Sequence, residues 1–223
     1  MRVAVYSANF GNYRNEVSTH KMNDVKFSKE IDYYFFTDSD IKCKWNIQKV
    51  TLEKELDFMN KYRHTSKKYK FCLPKILYSY DYVIWCDTKS LKNIDNLSLD
   101  EIKRLITKSK KSIFLIKHPR RKNAKQELDT TLGKGMEKRV YVDNFKNKIQ
   151  NIKFNSQLPD TTTIIRKVDD HHNKCFTEVY NNHLNSKLCR DQNIIQYTFY
   201  VMGCESALFY FKSAKTLRNF LQN

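Results

Sequence analysis

Three observations predict a single α/β domain built on a mixed, mainly parallel central sheet. Short apolar runs recur between polar turns, stretches of helical period separate several of them, and three runs stop abruptly at a polar cluster: Thr37-Asp38, Asp87 and Lys117-His118. Strands buried on both faces read as near-continuous apolar runs, and helices between them cover those faces. A chain of 223 residues with 40% hydrophobic residues fills one such core, so one domain over residues 1–223 is expected.

Residues 2–6 alternate as a first strand and break at Ser7-Ala8-Asn9-Phe10-Gly11-Asn12, a loop of turn formers. A second strand, 31–36, ends in Thr37-Asp38-Ser39-Asp40, and 45–50 reads as a third. Residues 61–80 place Tyr62, Tyr69, Leu73, Ile76 and Leu77 on one helical face and cations on the other, with Pro74 expected to bend or shorten the helix. The fourth strand, 82–86, stops at Asp87. Ser98 followed by Asp100 and Glu101 predicts a capped helix through about Lys108. Residues 112–116 are the next strand, and strand, helix, strand in that order predicts a parallel crossover. Residues 122–152 are charged and helical with a break at Gly133 and Gly135, followed by a strand at 161–165 and an amphipathic helix at 169–184. Residues 192–202 read as a buried helix, 207–211 as a closing strand and 213–221 as a short helix capped by Ser213.

Composition narrows the function classes. Only four glycines and three prolines occur, which leaves no flexible linker, and no internal repeat is visible. The N-terminus lacks a signal-peptide pattern and no uncharged apolar run approaches about 18 residues, so a cytoplasmic protein is expected. The six cysteines are scattered without a C-x-x-C pair, which predicts mostly reduced thiols instead of a zinc site or a disulfide framework. A formal charge of +17 calls for an anionic partner such as nucleotide phosphates, nucleic acid or the acidic cytoplasmic face of a membrane, although part of it is a solvated surface. Walker-type, dinucleotide-binding and nucleophile-elbow patterns are all missing.

Ligands of open α/β sheets collect beyond the carboxyl ends of the strands. Asp38, Asp87 and His118 are therefore expected to line one crevice, with the loop of Ser7, Ala8 and Asn9 as a wall. A strand-end carboxylate can accept from a ribose or base edge, hold a divalent ion bridging a diphosphate, or simply cap a turn. Arg63, Lys67, Lys68 and Lys70 fall within two helical turns, either to neutralise a leaving diphosphate or as a solvated basic face. His118, beside Pro119, Arg120 and Arg121 and followed by Glu127, is a candidate base, a phosphate or hydroxyl contact, or a local backbone staple. Arg190-Asp191-Gln192 offers a carboxylate and an amide for an acceptor, or a helix N-terminus capped by Asp191. His171 and His172 are adjacent and so face different sides of a helix, which is no metal pair.

The order of these segments resembles the mucilage-related glycosyltransferase-like family, first catalogued as domain-of-unknown-function 616 and itself similar to type-A glycosyltransferases. The resemblance runs through residues 5–13, Phe35-Phe36-Thr37-Asp38, residues 63–74 and Ile84-Trp85-Cys86-Asp87. It continues through Lys117-His118-Pro119-Arg120 with Glu127, Leu158-Pro159-Asp160-Thr161, Ile164-Ile165-Arg166 and Arg190-Asp191-Gln192. It implies a type-A, nucleotide-diphospho-sugar transferase sandwich, with a donor half at 1–118, an acceptor half at 119–223, a nucleotide-sugar donor and a glycan or glycoconjugate hydroxyl acceptor. Ser7, Ala8, Asn9 and Asp38 would bind the nucleoside, and Arg63, Lys70, Asp87 and Lys89 the diphosphate, with Mn or Mg at Asp87. His118, Arg120, Glu127, Arg190 and Gln192 would bind the acceptor, while Asp191 is the first candidate base, His118 the second, and Asp87 acts through the diphosphate. The family's Trp-x-Asp is followed by Gly and a polar residue; here Thr88 and Lys89 follow, and Lys89 can itself offset diphosphate charge, so weak or absent metal dependence is also implied. Two rivals are a basic nucleic-acid-binding protein, disfavoured because the cations are spread along the chain, and a catalytically silent sugar-nucleotide binder of the same fold.

Overall fold

The structure, a computed structural model, describes residues 1–17 and 22–222. Its centre is a seven-stranded sheet: β1 (Val3–Ala8), β2 (Asp32–Thr37), β3 (Asn46–Lys49), β4 (Tyr82–Cys86), β5 (Ile113–Lys117), β6 (Pro159–Lys167) and β7 (Leu208–Phe211), in the order β3-β2-β1-β4-β6-β5-β7. β1, β2, β3 and β4 are mutually parallel where they pair, and β7 is parallel to β5. β6 alone is antiparallel, to β4 on one side and to β5 on the other. The expected crossover is therefore corrected in one respect: β4 and β5 run in the same direction, but β6 lies between them. Strand direction follows from the helix that joins two strands, whereas neighbourhood is decided by a strand that arrives more than forty residues later.

Among the described residues seven α-helices cover the sheet: α1 (Lys61–Phe71), α2 (Leu99–Ser109), α3 (Ala124–Gly133), α4 (Arg139–Ile149), α5 (Asp170–Ser186), α6 (Gln192–Val201) and α7 (Ala214–Leu221). Their starts obey local chemistry. Side-chain oxygens of Asn60, Ser98, Asn123, Asp169 and Ser213 accept the backbone N–H three residues on, satisfying donors that have no partner within the helix. α1 is shorter than the sequence period suggests. Cys72 is extended, as favoured near a following proline, and Pro74 opens a separate turn over Lys75–Leu77.

Alternation along the strands divides the core in two. Ala4, Tyr6, Val83 and Trp85 pack on one face with Phe71, Leu128, Phe176 and Phe199, while Val3, Val5, Ile84 and Cys86 pack on the other with Trp45, Ile102 and Leu217. The sulfurs of Cys175 and Cys204 are joined in a disulfide, which corrects the expectation of reduced thiols for that pair; Cys43, Cys72, Cys86 and Cys189 are free. Residues 29 apart in sequence meet here because α5 returns alongside the turn before β7, a proximity that cysteine spacing does not encode. Among the described residues no helix is long and apolar enough to cross a membrane.

Candidate functional site

The carboxyl ends of β1, β4 and β5 open onto two adjoining hollows. They share Lys67, Lys70, Asp87, Lys89 and Arg190. One reaches under the loop after β1, past Ala8, Asn9 and Tyr62; the other, of about 360 Å³, runs past His118, Arg120, Arg121, Asp160, Asp191 and Gln192. Together they are lined by seven basic residues and four carboxylates, so an anion is attracted to both.

The junction is held by Asp191, 4% exposed. Its Oδ2 accepts from Lys67 Nζ at 2.7 Å and Lys70 Nζ at 2.9 Å, and Thr161 Oγ1 donates to it at 3.1 Å. Burial alone would raise the pKa of Asp191, but the two ammonium groups outweigh it and hold the carboxyl well below the usual range. Lys67 shows the opposite balance: burial lowers its pKa to about 8, against the pull of Asp191. Burial also opposes the charge on Lys70, yet Asp191 and Asp87 together raise its pKa.

Lys70 is fixed from behind as well. It sits in the last turn of α1, where buried Arg166 donates from Nη1 to the Phe71 carbonyl at 3.0 Å and from Nη2 to Tyr6 Oη at 3.1 Å, and Tyr6 Oη donates to the Lys70 carbonyl at 3.2 Å. A cation against the carbonyl end of a helix is favourable and satisfies acceptors that lack helical partners.

Asp87 lies where β4 ends. Its Oδ1 accepts from Trp85 Nε1 at 2.8 Å and from Lys70 Nζ at 3.4 Å, and Lys89 Nζ stands 3.9 Å from Oδ2. This surrounding does not fit a divalent ion. Such ions take about six oxygens, whereas both oxygens of this carboxylate already face ammonium groups and, among the described residues, no group of three His, Cys, Asp or Glu side chains is placed to hold a metal. For the expected Mn or Mg, Asp87 is one carboxylate, and lysines stand where further protein ligands would be needed.

On the other side, Glu127 is fully buried behind the second hollow, with Arg121 Nε at 2.6 Å, Arg190 Nε at 3.7 Å and His118 Nε2 at 3.9 Å. From there it anchors two lining arginines, and it is not itself part of the lining where the sequence reading expected it to meet an acceptor. His118 Nδ1 accepts the backbone N–H groups of Arg120 at 3.2 Å and Arg121 at 3.0 Å, which puts the ring proton on Nε2. Burial, then Arg121, lowers its pKa, so the ring is neutral and its basic nitrogen is already occupied. Of the roles expected for His118, these hydrogen bonds match the local backbone staple. Asp191, held so far below the usual carboxylate range, is likewise a weak base.

Other expected residues are distributed as follows. Ala8, Asn9, Arg63, Lys70, Asp87 and Lys89 line the first hollow, and Arg120, Arg190 and Gln192 the second. Buried Ser7 donates to the Cys86 carbonyl at 2.6 Å and ties β1 to β4 instead of lining the hollow. Asp38 accepts the Gly11 N–H at 2.9 Å and stands outside the lining, holding the loop after β1. That turn needs glycine, because Gly11 has φ +60° and a Cβ there would meet the Tyr62 ring at 2.4 Å. Arg63 divides its work, donating to the Cys189 carbonyl at 3.1 Å while both oxygens of Glu137 accept the Cys189 and Arg190 N–H groups at 2.8 Å. Lys68, by contrast, leaves the site and pairs with Glu53.

Sequence reading assigned no site role to Tyr62, Trp85, Arg121 or Asp160, and undervalued Lys67. The helical interval from Arg63 to Lys67 to Lys70 was a usable signal, since residues four and seven apart share a face that Lys68 does not.

No family model matches the chain, and no curated protein matches it. Among solved structures it is similar to apo WbbM, described as a bifunctional glycosyltransferase, at 10% identity and a TM-score of 0.51, over 94% of this chain and 38% of that one. It is also similar to the mannosyltransferase Ktr4p from S. cerevisiae in complex with GDP, at 11% identity and a TM-score of 0.49, over 94% of this chain and 69% of that one. A third is core-mannan synthase A from Aspergillus fumigatus in an Mn/GDP form, at 9% identity and a TM-score of 0.48, over 95% of this chain and 73% of that one. The chain thus spans 38% of the length of WbbM. At such identities the likeness is one of fold, and the narrower mucilage-related family is not shown. The fold is that of the type-A glycosyltransferases, an α/β sandwich on a mixed, mostly parallel sheet.

Proposed function

We propose that the protein transfers a sugar from a nucleoside-diphosphate sugar to a hydroxyl of a glycan or glycoconjugate. One observation carries this reading: the buried pair Lys67 and Lys70, clamped on Asp191 where β4 delivers Asp87, faces a hollow at the carboxyl edge of a type-A sheet. Preorganised cations in a water-poor pocket are suited to charge that develops on a departing diphosphate. In this reading Ala8, Asn9 and the Tyr62 ring form the nucleoside wall, and Arg63, Lys70 and Lys89 meet the phosphates. Arg120, Arg190 and Gln192 meet the acceptor; Gln192 is 8% exposed and its Oε1 has no protein partner, which leaves it for a substrate hydroxyl.

With His118 and Asp191 disfavoured as bases, Asp160 becomes the base we assign. It lines the acceptor-side hollow from β6, and its Oδ1 accepts the Thr162 N–H at 3.0 Å, which orients the carboxylate.

The test is a thermal-shift screen of nucleotide sugars followed by donor-hydrolysis assays. A specific nucleoside-diphosphate sugar should stabilise the wild type, and Lys70→Met should lower turnover by about 100-fold or more. Asp160→Asn should cost about 100-fold with donor affinity retained. Stabilisation by oligonucleotides alone, falling steeply with salt, would replace this reading with the nucleic-acid one.

A further inference from the structure

The misfit between Asp87 and a divalent ion has a positive counterpart. Resting on the donor reading above, we propose that Lys67, Lys70 and Lys89 take the place of the metal, so that a nucleoside diphosphate binds and departs with side-chain cations, and no metal ion, as its counter-charges.

Three features support this. Lys70 is 4% exposed and Lys67 17%, and both are tethered to one carboxylate oxygen of Asp191, so neither swings away as a surface lysine does. Lys89 is 49% exposed and stands 3.9 Å from Asp87 Oδ2 across the lining of both hollows, free to fold onto a phosphate entering between them. A divalent ion bound at Asp87 would meet Lys70 and Lys89 at short range, and its double charge would be repelled by each. The same geometry gives Asp191 a role: it positions the two buried ammonium groups and keeps them compensated in the absence of ligand.

The step balances without a metal. The bond between the sugar anomeric carbon and the terminal phosphate oxygen breaks, its electron pair stays on that oxygen, and the nucleoside diphosphate gains one negative charge. The acceptor oxygen bonds to the anomeric carbon and its proton passes to Asp160. The lysines take up the new phosphate charge by hydrogen bonding and carry no proton away.

Calorimetric titration with UDP and GDP, in chelator and then in excess Mn, tests the idea without requiring turnover. The wild type should bind one of them with the same affinity in both buffers. Lys70→Met should weaken binding by roughly tenfold or more with no rescue by Mn. Because a buried substitution can unfold the chain, the half-exposed Lys89→Asp is the second variant; it should weaken binding in chelator by roughly tenfold and recover with Mn. Wild-type affinity that collapses in chelator and returns with Mn overturns the proposal, as does Lys89→Asp with unaltered affinity in chelator. Failure of both nucleotides, and of a wider set of nucleoside diphosphates, in every buffer sinks the donor reading itself and the proposal with it.

Discussion

Asp191 and Glu127 are both buried carboxylates that gather two cations each, Asp191 where the two hollows join and Glu127 behind the acceptor-side hollow. They differ in what the cations can do if released. Lys67 and Lys70 end on Asp191 with side chains 17% and 4% exposed, whereas Arg121 and Arg190 reach Glu127 with side chains 16% and 31% exposed and wide, weakly hydrated forks. Lys67 and Arg121 are about equally buried, so the contrast lies between Lys70, shut away from water, and Arg190, which reaches the rim. The first arrangement suits an event inside the pocket and the second suits recognition of a partner that enters and leaves.

The largest effect comes from removing each anchor. Asp191→Ala strands two buried ammonium groups and should cost about 3–5 kcal/mol of stability. Glu127→Ala frees guanidinium groups that can turn to water and should cost less, about 1–3 kcal/mol. Urea unfolding of the two variants decides the matter, and equal losses would break the comparison.

The middle effect concerns His118, the acceptor side's second fastening. His118→Phe removes the acceptor of the Arg120 and Arg121 N–H groups and should cost about 1–3 kcal/mol. If the ring is a staple, the remaining turnover keeps its wild-type pH profile, and His118→Asn restores part of the stability by supplying an acceptor. Loss of the limb that reports a base would reinstate His118 as a catalytic group.

The difference between the two clusters also explains what could be read beforehand. Asp87 and His118 were legible as strand-end residues because continuous apolar runs stop there, and a parallel sheet brings such ends together. The cationic face of α1 was legible because helical spacing fixes which residues are neighbours. The partner of that face was not, since Asp191 follows Lys70 by more than a hundred residues and its approach depends on α6 packing under β6. Glu127 was expected at the acceptor, on a charged helix; only the burial of α3 against α6 turns it inward. Asp38 and Ser7 sat where ligand groups belong, yet their oxygens are taken by Gly11 N–H and the Cys86 carbonyl, bonds that local sequence does not reveal.

The smallest effect, and the one that separates the clusters most cleanly, is a response to alkaline pH. Lys67 has a folded-state pKa of about 8 against an ordinary value of 10.5, with burial as the main cause. Between those values the unfolded chain holds a proton that the folded chain has released, so the stability contributed by this group rises with pH through that window and is constant below it. Donor affinity should move the other way, because deprotonation above about 8 removes one of the cations facing the phosphates. The arginines held by Glu127 stay charged throughout, so acceptor recognition should not follow. Burial raises the pKa of the Cys72, Cys86 and Cys189 thiols and so pulls whole-chain stability down at alkaline pH; the Lys67 contribution is read as the wild type minus Lys67→Met difference in urea unfolding, which should rise from pH 7 to 10 while the same difference in nucleoside-diphosphate affinity falls. A difference between wild type and Lys67→Met that stays constant with pH in both measurements would remove Lys67 from the donor-side account.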